Sequence, residues 1–305
     1  MRIAVVGAGA VGLYYGARIQ KAGGEVSYLL RSDYEAIGRR GIKIRAQDSN
    51  FQLSEVNGFT ETKLMGPADL VMVAVKATSN AELPNLLRPI VKEDTAILSL
   101  QNGLGNTEFL QRHFPDNPIF GAACYVCLNR VEPGVVENYH LGSVAIAEQG
   151  NRRPDLLKRI GELFSGARLK CRLSESIDRM RWEKLLWNAP FNGLSIVGGK
   201  LTTDEILAND GLRRLARGLM EELITAAGVL GWEIEYALID KLFDITRNMG
   251  EYAPSSLLDF LEGREIEVEA IWGEPLRQAL VAGLDMPKLE TLYRLLRIAC
   301  APPSD

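Results

Sequence analysis

Four polar residues in the second half of the sequence stand at a spacing that could do chemistry. Lys184, Asn188, Asn192 and Ser195 follow one another at intervals of 4, 4 and 3 residues, which on an α-helix puts them on one face. Leu185, Leu186, Trp187, Ala189, Phe191 and Leu194 occupy most of the remaining circumference. A face turned to water is broad and rich in paired charges, whereas this stripe is narrow: one ammonium, two amides and a hydroxyl. Buried amides require partners, so the stripe reads as a cleft wall that receives a polar ligand. A partly buried lysine is a candidate proton donor to an oxygen that turns negative during reaction. Many dehydrogenases use histidine there, but this chain has only His113 and His140, neither in the stripe. Pro190 lies inside the run; it removes a backbone donor and should kink the helix nearby.

At the amino terminus, Gly7-Ala8-Gly9-Ala10-Val11-Gly12 is a GxGxxG that follows the apolar run RIAVV and opens a helical pattern. That context turns a generic motif into a dinucleotide site: the first glycine turns tightly, the second admits pyrophosphate, the third lets helix pack on strand. The phosphates then face the unpaired N–H groups of a helix start. An NAD site places a carboxylate at the end of the second strand for the ribose 2′-hydroxyl. Here Leu29-Leu30-Arg31-Ser32 has none before Asp33. A guanidinium and a hydroxyl suit a 2′-phosphate, so the expected cofactor is NADPH; an ordinary surface arginine is the competing reading of Arg31. Lys76 and Asn102 fall at the ends of two later strand-like runs, where ligands of open parallel sheets bind. Taken singly, a solvated lysine and a turn asparagine are the better readings; their shared placement brings the functional reading level with them.

The elements that must carry these residues alternate through the first half. Strand-like runs at 2–6, 25–30, 70–75 and 96–100 are interleaved with helical patterns around 13–20, 81–91 and 107–114. This predicts a doubly wound, Rossmann-type α/β sheet. Strand-rich sequence runs from about 120 to 147 with a turn at Pro133-Gly134, followed by a helix near 155–164 and a strand near 169–172. From Ser176 to Ala299 helical periodicity dominates, broken at Gly198-Gly199, Gly231 and Pro254. The expected organisation is a nucleotide-binding domain over 1–175 and an all-helical substrate and catalytic domain over 176–305.

Composition excludes other classes. Of 305 residues, 47% are hydrophobic, and 35 basic against 39 acidic residues give a net charge of −4. That is neither disordered nor fibrous and offers no basic footprint for nucleic acid or an anionic membrane. No secretory signal or membrane-spanning run is evident. Cys124 and Cys127 form a CxxC in an apolar, strand-like run without enough soft ligands nearby for zinc. Both are expected to be buried structural thiols, with metal or redox chemistry as the minor alternative and no metal expected. A cytoplasmic location is the default, and an apolar helical domain is compatible with a homodimer.

Taken together, GAGAVG, Arg31, the VKA around Lys76, QNGLG at 101–105, WEKLLWNAPFN and PSSLLDFLEGREIEVEAIWG at 254–273 resemble the ketopantoate reductase family over nearly the whole chain. The resemblance implies NADPH-dependent reduction of 2-dehydropantoate to pantoate, a step toward pantothenate and coenzyme A. It implies Lys184 as proton donor, Asn188 and Asn192 near the substrate, Asn102 where cofactor and substrate meet, and Ser255 and Glu267 completing the pocket. Asp259 matches a structural aspartate. Without the resemblance, Glu267 reads with Glu265 and Glu269 as solvated helix charge. Tyr252 and Thr202 replace amides that some family members carry, which leaves another branched 2-oxo acid open as substrate. A non-catalytic NADPH-binding sensor is the alternative from another class.

Overall fold

The computed structural model describes residues 1–140, 142–150 and 152–301. The chain divides into two compact units, one of Met1–Gln101 with Asn106–Ile177, the other of Asn102–Gly105 with everything from Asp178 onward. A four-residue excursion thus leaves the first unit, which no single boundary in the sequence anticipates.

In the first unit the order is β1 (Arg2–Val6), α1 (Ala10–Lys21), β2 (Glu25–Leu29), α2 (Tyr34–Arg40), β3 (Ile42–Ala46), β4 (Phe51–Leu53), β5 (Asn57–Phe59), β6 (Leu70–Val73), α3 (Leu83–Leu87), β7 (Ala96–Ser99), α4 (Asn106–His113), β8 (Ile119–Tyr125), β9 (Leu128–Glu132), β10 (Val135–Asn138), β11 (Ser143–Glu148), α5 (Pro154–Gly166) and β12 (Lys170–Leu173). Eight strands form one sheet in the order β12-β11-β8-β7-β6-β1-β2-β5. Six run parallel; β11 opposes β8, and β12 follows β11. The central strands β1, β6 and β7 are apolar on both faces, as parallel strands covered on both sides must be. The strand order reverses between β1 and β6, which makes their carboxyl ends the switch point where nucleotides bind.

A second sheet, β4-β3-β10-β9, goes beyond the sequence expectation. Its inner residues Ile42, Ile44 and Val136 join Leu13, Tyr14 and Ala17 of α1 in one core. Burial alternates strictly along β3, the half-buried pattern that IKIRA carries in its sequence. The helical pattern at 81–91 resolves into a 3₁₀ turn, Ala77–Glu82, and the short α3. Pro84 starts that helix well, but Pro89 cannot continue it. Cys124 is buried in β8, whereas Cys127, in the link to β9, is half-buried, as are Cys171 and Cys300; none of the four is in a disulfide among the described residues. The expected buried pair is therefore corrected to one buried thiol, because β8 ends at Tyr125.

The second unit is helical: α6 (Ile177–Val197, its first residue assigned to the first unit), α7 (Thr203–Ala208), α8 (Asp210–Val229), α9 (Ala237–Arg247), α10 (Ser255–Leu261), α11 (Glu274–Val281) and α12 (Pro287–Ala299). Trp182, Leu186, Phe191, Trp272, Leu289 and Leu296 lie within its core. The helix α6 runs continuously through Pro190. The Trp272 indole donates to the Ala189 carbonyl at 2.8 Å, which satisfies a buried polar group deep in the core. A π-helical turn, Glu269–Gly273, precedes α11. No helix is long and apolar enough to cross a membrane, and no group of acidic, histidine or cysteine side chains that could hold a metal occurs among the described residues.

Candidate active site

In the first unit the glycine motif connects β1 to α1. Gly7 has φ +105, and a Cβ there would lie 2.3 Å from the Val75 nitrogen, just after β6. A Cβ on Gly12 would meet the Gly7 carbonyl oxygen at 2.1 Å. Gly9 is different: nothing lies within 4 Å of its would-be Cβ, and it precedes α1 with no side chain capping the helix and no acid in the first turn. Two glycines are therefore demanded by the protein's own backbone, and the third leaves an open cradle before uncapped N–H groups. Such a cradle fits a dinucleotide pyrophosphate. Ala8, Ala10 and Val11 complete the turn, half-buried.

Arg31 follows β2, is exposed, and makes no ion pair or side-chain hydrogen bond among the described residues. The Ser32 hydroxyl, expected beside it as a phosphate donor, instead donates to Asp33 Oδ1 at 3.1 Å. Lys76 is half-buried immediately before the 3₁₀ turn that follows β6. Residues that the sequence did not single out build the end of β7. Gln101 Nε2 donates to Asn80 Oδ1 at 2.7 Å, and Asn80 Nδ2 donates to Asn106 Oδ1 at 2.8 Å. Asn80 thereby ties together the two ends of the 102–105 excursion. Nothing in local periodicity marks Asn80 for this role.

In the second unit that excursion meets α6. Lys184 Nζ donates to Asn102 Oδ1 at 2.7 Å, across 82 residues of sequence. The segment is anchored by Leu104, buried in the helical core, whose N–H donates to the Ala270 carbonyl at 2.9 Å. Gly103 has φ +80, and a Cβ there would overlap the Ala270 backbone; only glycine allows so close an approach in that conformation.

The stripe on α6 divides by function. Lys184 is half-buried, and Asn188, largely buried, makes no side-chain hydrogen bond among the described residues. Asn192, 1% exposed, is fully engaged: Nδ2 donates to the Asn188 carbonyl at 3.0 Å, and Oδ1 accepts from the Ser256 N–H at 2.9 Å. Ser255 Oγ lies 3.5 Å from the same oxygen. Asn192 thus fastens the start of α10, with Ser255 exposed as its first residue. Ser195 is completely buried and its hydroxyl has no partner among the described residues, so the polar stripe ends in the core rather than continuing as a cleft wall.

Glu267 is half-buried between α10 and the π turn, while Glu265 is exposed. Residues 264–267 are not helical, so Glu265 and Glu267 are not the solvated helix charge that they resemble in the sequence. Asp259 pairs with Arg264 at 2.8 Å. Thr202 precedes α7, where its N–H donates to Glu205 Oε2 at 2.8 Å, one half of a helix capping box. Tyr252 packs its ring against Trp187, with centroids 6.1 Å apart.

Comparison with known proteins identifies the family to which the chain belongs. Residues 3–151 match the family model described as ketopantoate reductase PanE/ApbA, and residues 176–299 match its C-terminal model. The chain is 38% identical to the 2-dehydropantoate 2-reductase of Nostoc sp. over 301 residues, covering 97% of this chain and 94% of that protein. It is similar in structure to the 2-dehydropantoate 2-reductase from Geobacter metallireducens (TM-score 0.95, 41% identity, 98% and 100% of the two chains). The enzyme of the same description from Methylococcus capsulatus gives TM-score 0.90 at 28% identity, covering 99% of each. With both halves matched in order and a relative this similar along its full length, the chain belongs to the ketopantoate reductase family.

Proposed function

We propose that this enzyme reduces the C2 carbonyl of 2-dehydropantoate to the alcohol of pantoate, with NADPH as reductant, on the route to pantothenate and coenzyme A. The first unit, Met1–Gln101 with Asn106–Ile177, holds the cofactor, and the second, which includes Asn102–Gly105, supplies the catalytic and substrate-binding groups. Gly7, Ala8, Gly9, Ala10, Val11 and Gly12 cradle the pyrophosphate, Arg31 meets the 2′-phosphate, and Lys76 and Asn102 complete the cofactor side. When bound, NADPH supplies the hydride.

The observation that carries this proposal is the 2.7 Å hydrogen bond from Lys184 Nζ to Asn102 Oδ1. It fixes the direction of a half-buried ammonium, a group with three N–H donors and no acceptor. As the C2 oxygen gains negative charge, Lys184 Nζ donates a proton to it, completing the alcohol. Asn188, with its amide uncommitted, binds the substrate carboxylate or hydroxyl together with Ser255 and Glu267. Asn192 acts at one remove, by holding Ser255 in place.

The test is NADPH oxidation with 2-dehydropantoate. Lys184→Ala is expected to lower kcat by about a hundred- to ten-thousand-fold, the usual contribution of a positioned general acid, while the Kd for NADPH stays unchanged. A variant as active as the wild type would sink the mechanism. A second substrate, another branched 2-oxo acid, is favoured by one observation. Thr202 is committed to capping α7 and Tyr252 to packing on Trp187, so neither supplies the amide found in some relatives. A panel of 2-oxo acids ranked by kcat/KM separates the two readings. Four cysteines outside any disulfide among the described residues suit a reducing cytoplasm. Exposed Leu280 and Val281 on α11 and Leu295 and Ile298 on α12 suit a homodimer, which light scattering would reveal.

A further inference from the structure

The first carboxylate after the proposed 2′-phosphate ligand in the sequence is turned away from solvent and bonded at both oxygens. Asp33, two residues after Arg31, is 3% exposed. Its Oδ1 accepts from Arg130 Nη1 at 2.5 Å and from Ser32 Oγ at 3.1 Å, and its Oδ2 accepts from the Gly134 N–H at 3.0 Å. Arg130 lies in β9, and Gly134 in the turn between β9 and β10. The second sheet therefore reaches 97 and 101 residues back along the chain to fix the segment that follows β2. Backbone bonds pin the same segment: the Arg31 carbonyl accepts from Tyr34, and the Asp33 carbonyl accepts from Ile37.

An uncommitted carboxylate here would do two things. It would accept a hydrogen bond from a ribose 2′-hydroxyl, as in NAD sites, and it would repel a 2′-phosphate as a like charge. The Arg130 guanidinium cancels that repulsion and occupies that acceptor, leaving exposed Arg31 as the group presented to the cofactor. We propose that Arg130 is a cofactor-specificity residue, which acts through Asp33 to make the site choose a 2′-phosphate over a 2′-hydroxyl. This rests on Arg31 as the phosphate ligand. Arg130 is in this sense a positioning residue, and the second sheet is what brings it there.

Calorimetric binding of 2′,5′-ADP and 5′-AMP reads the choice without turnover. Wild type should prefer 2′,5′-ADP, and Arg31→Ala should abolish the preference. Arg130→Ala should reduce the preference by roughly tenfold, a decade corresponding to 1.4 kcal/mol, with 5′-AMP binding unchanged or tighter as the released carboxylate becomes available. A purely structural defect would weaken both ligands alike. Removing that carboxylate in Asp33→Asn/Arg130→Ala should restore part of the preference. If Arg130→Ala does not fold, Arg130→Lys, which keeps the charge but loses the fork, should show a smaller fall in the same direction. An unchanged preference in these Arg130 variants, or equal weakening of both ligands, overturns this inference alone. A wild type with no preference, or an Arg31→Ala variant that retains it, overturns the cofactor assignment and this inference with it.

Discussion

The two candidate ligand-binding regions, one in each unit, are built by opposite means. Around α1 the proposed recognition uses backbone and missing side chains: Gly7 and Gly12 are required by contacts at 2.3 and 2.1 Å, and Gly9 leaves open space. Along α6 the groups are side chains, and most of them are aimed by other side chains or by backbone from distant segments, as Asn102 aims Lys184 and Asn192 fastens α10. A pyrophosphate offers the same oxygens to every protein, so uniform backbone donors serve it. A small 2-oxo acid must be oriented at one carbonyl, which takes groups placed individually.

The contrast breaks first at the glycines. Gly12→Ala should fail to fold or lose several kcal/mol, since its Cβ meets an immobile carbonyl; steric strain of this kind accounts for the large single-site losses, of about 3 kcal/mol or more. Gly9→Ala, with open space around it, should keep its stability within about 0.5 kcal/mol and lose NADPH affinity instead. Thermal melts paired with NADPH titration check both, and equal stability losses at the two positions would erase the distinction between required and open glycines.

On the other side, Asn192→Ala strips the acceptor from the buried Ser256 N–H, at a cost of about 1–3 kcal/mol for a buried donor left unsatisfied. Its expected signature is a raised KM for the 2-oxo acid with NADPH binding intact. A variant with normal KM would mean that Asn192 does not position the substrate side.

The smallest effect sharpens how the second sheet is held to α1. Buried Arg18 donates to Asp48 Oδ2 at 2.8 Å, and this bond holds the Asp48 carboxyl below its ordinary range. A carboxyl whose pKa is lowered by folding stabilises the fold above its unfolded pKa, and that contribution disappears as pH falls through the folded value. Asp48→Asn should therefore be less stable than wild type at neutral pH, with the difference closing below about pH 4. Urea denaturation at both pH values measures it; a gap that persists in acid would assign the effect to packing.

Much of the frame was legible in the sequence because it is written in local pattern. The apolar runs of β1, β6 and β7 and the helical periodicity from Ser176 onward each declare themselves within a few residues. IKIRA of β3 carries an equally plain alternation, but alternation alone does not say which strands it pairs with, so the second sheet stayed hidden. The helix expected at 81–91 was cut short by Pro89, a stop already present in the sequence. The site was legible only in part. Lys184 and Asn188 followed from spacing, but the same spacing included Ser195, which is buried in the core: periodicity tells which residues share a face, not how far along the helix that face stays open.

By itself, then, the sequence determined the glycine turn before α1, the Arg31 that follows β2 and the order of the Lys184 stripe, because each depends on backbone geometry over one or two turns. Tertiary structure alone decided that Asn102 would meet Lys184, that Asn192 would be consumed by α10, and that Asp33 would face Arg130 rather than solvent. These partners lie between 64 and 97 residues apart. No local periodicity spans such separations; the packing of whole elements sets which side chains meet.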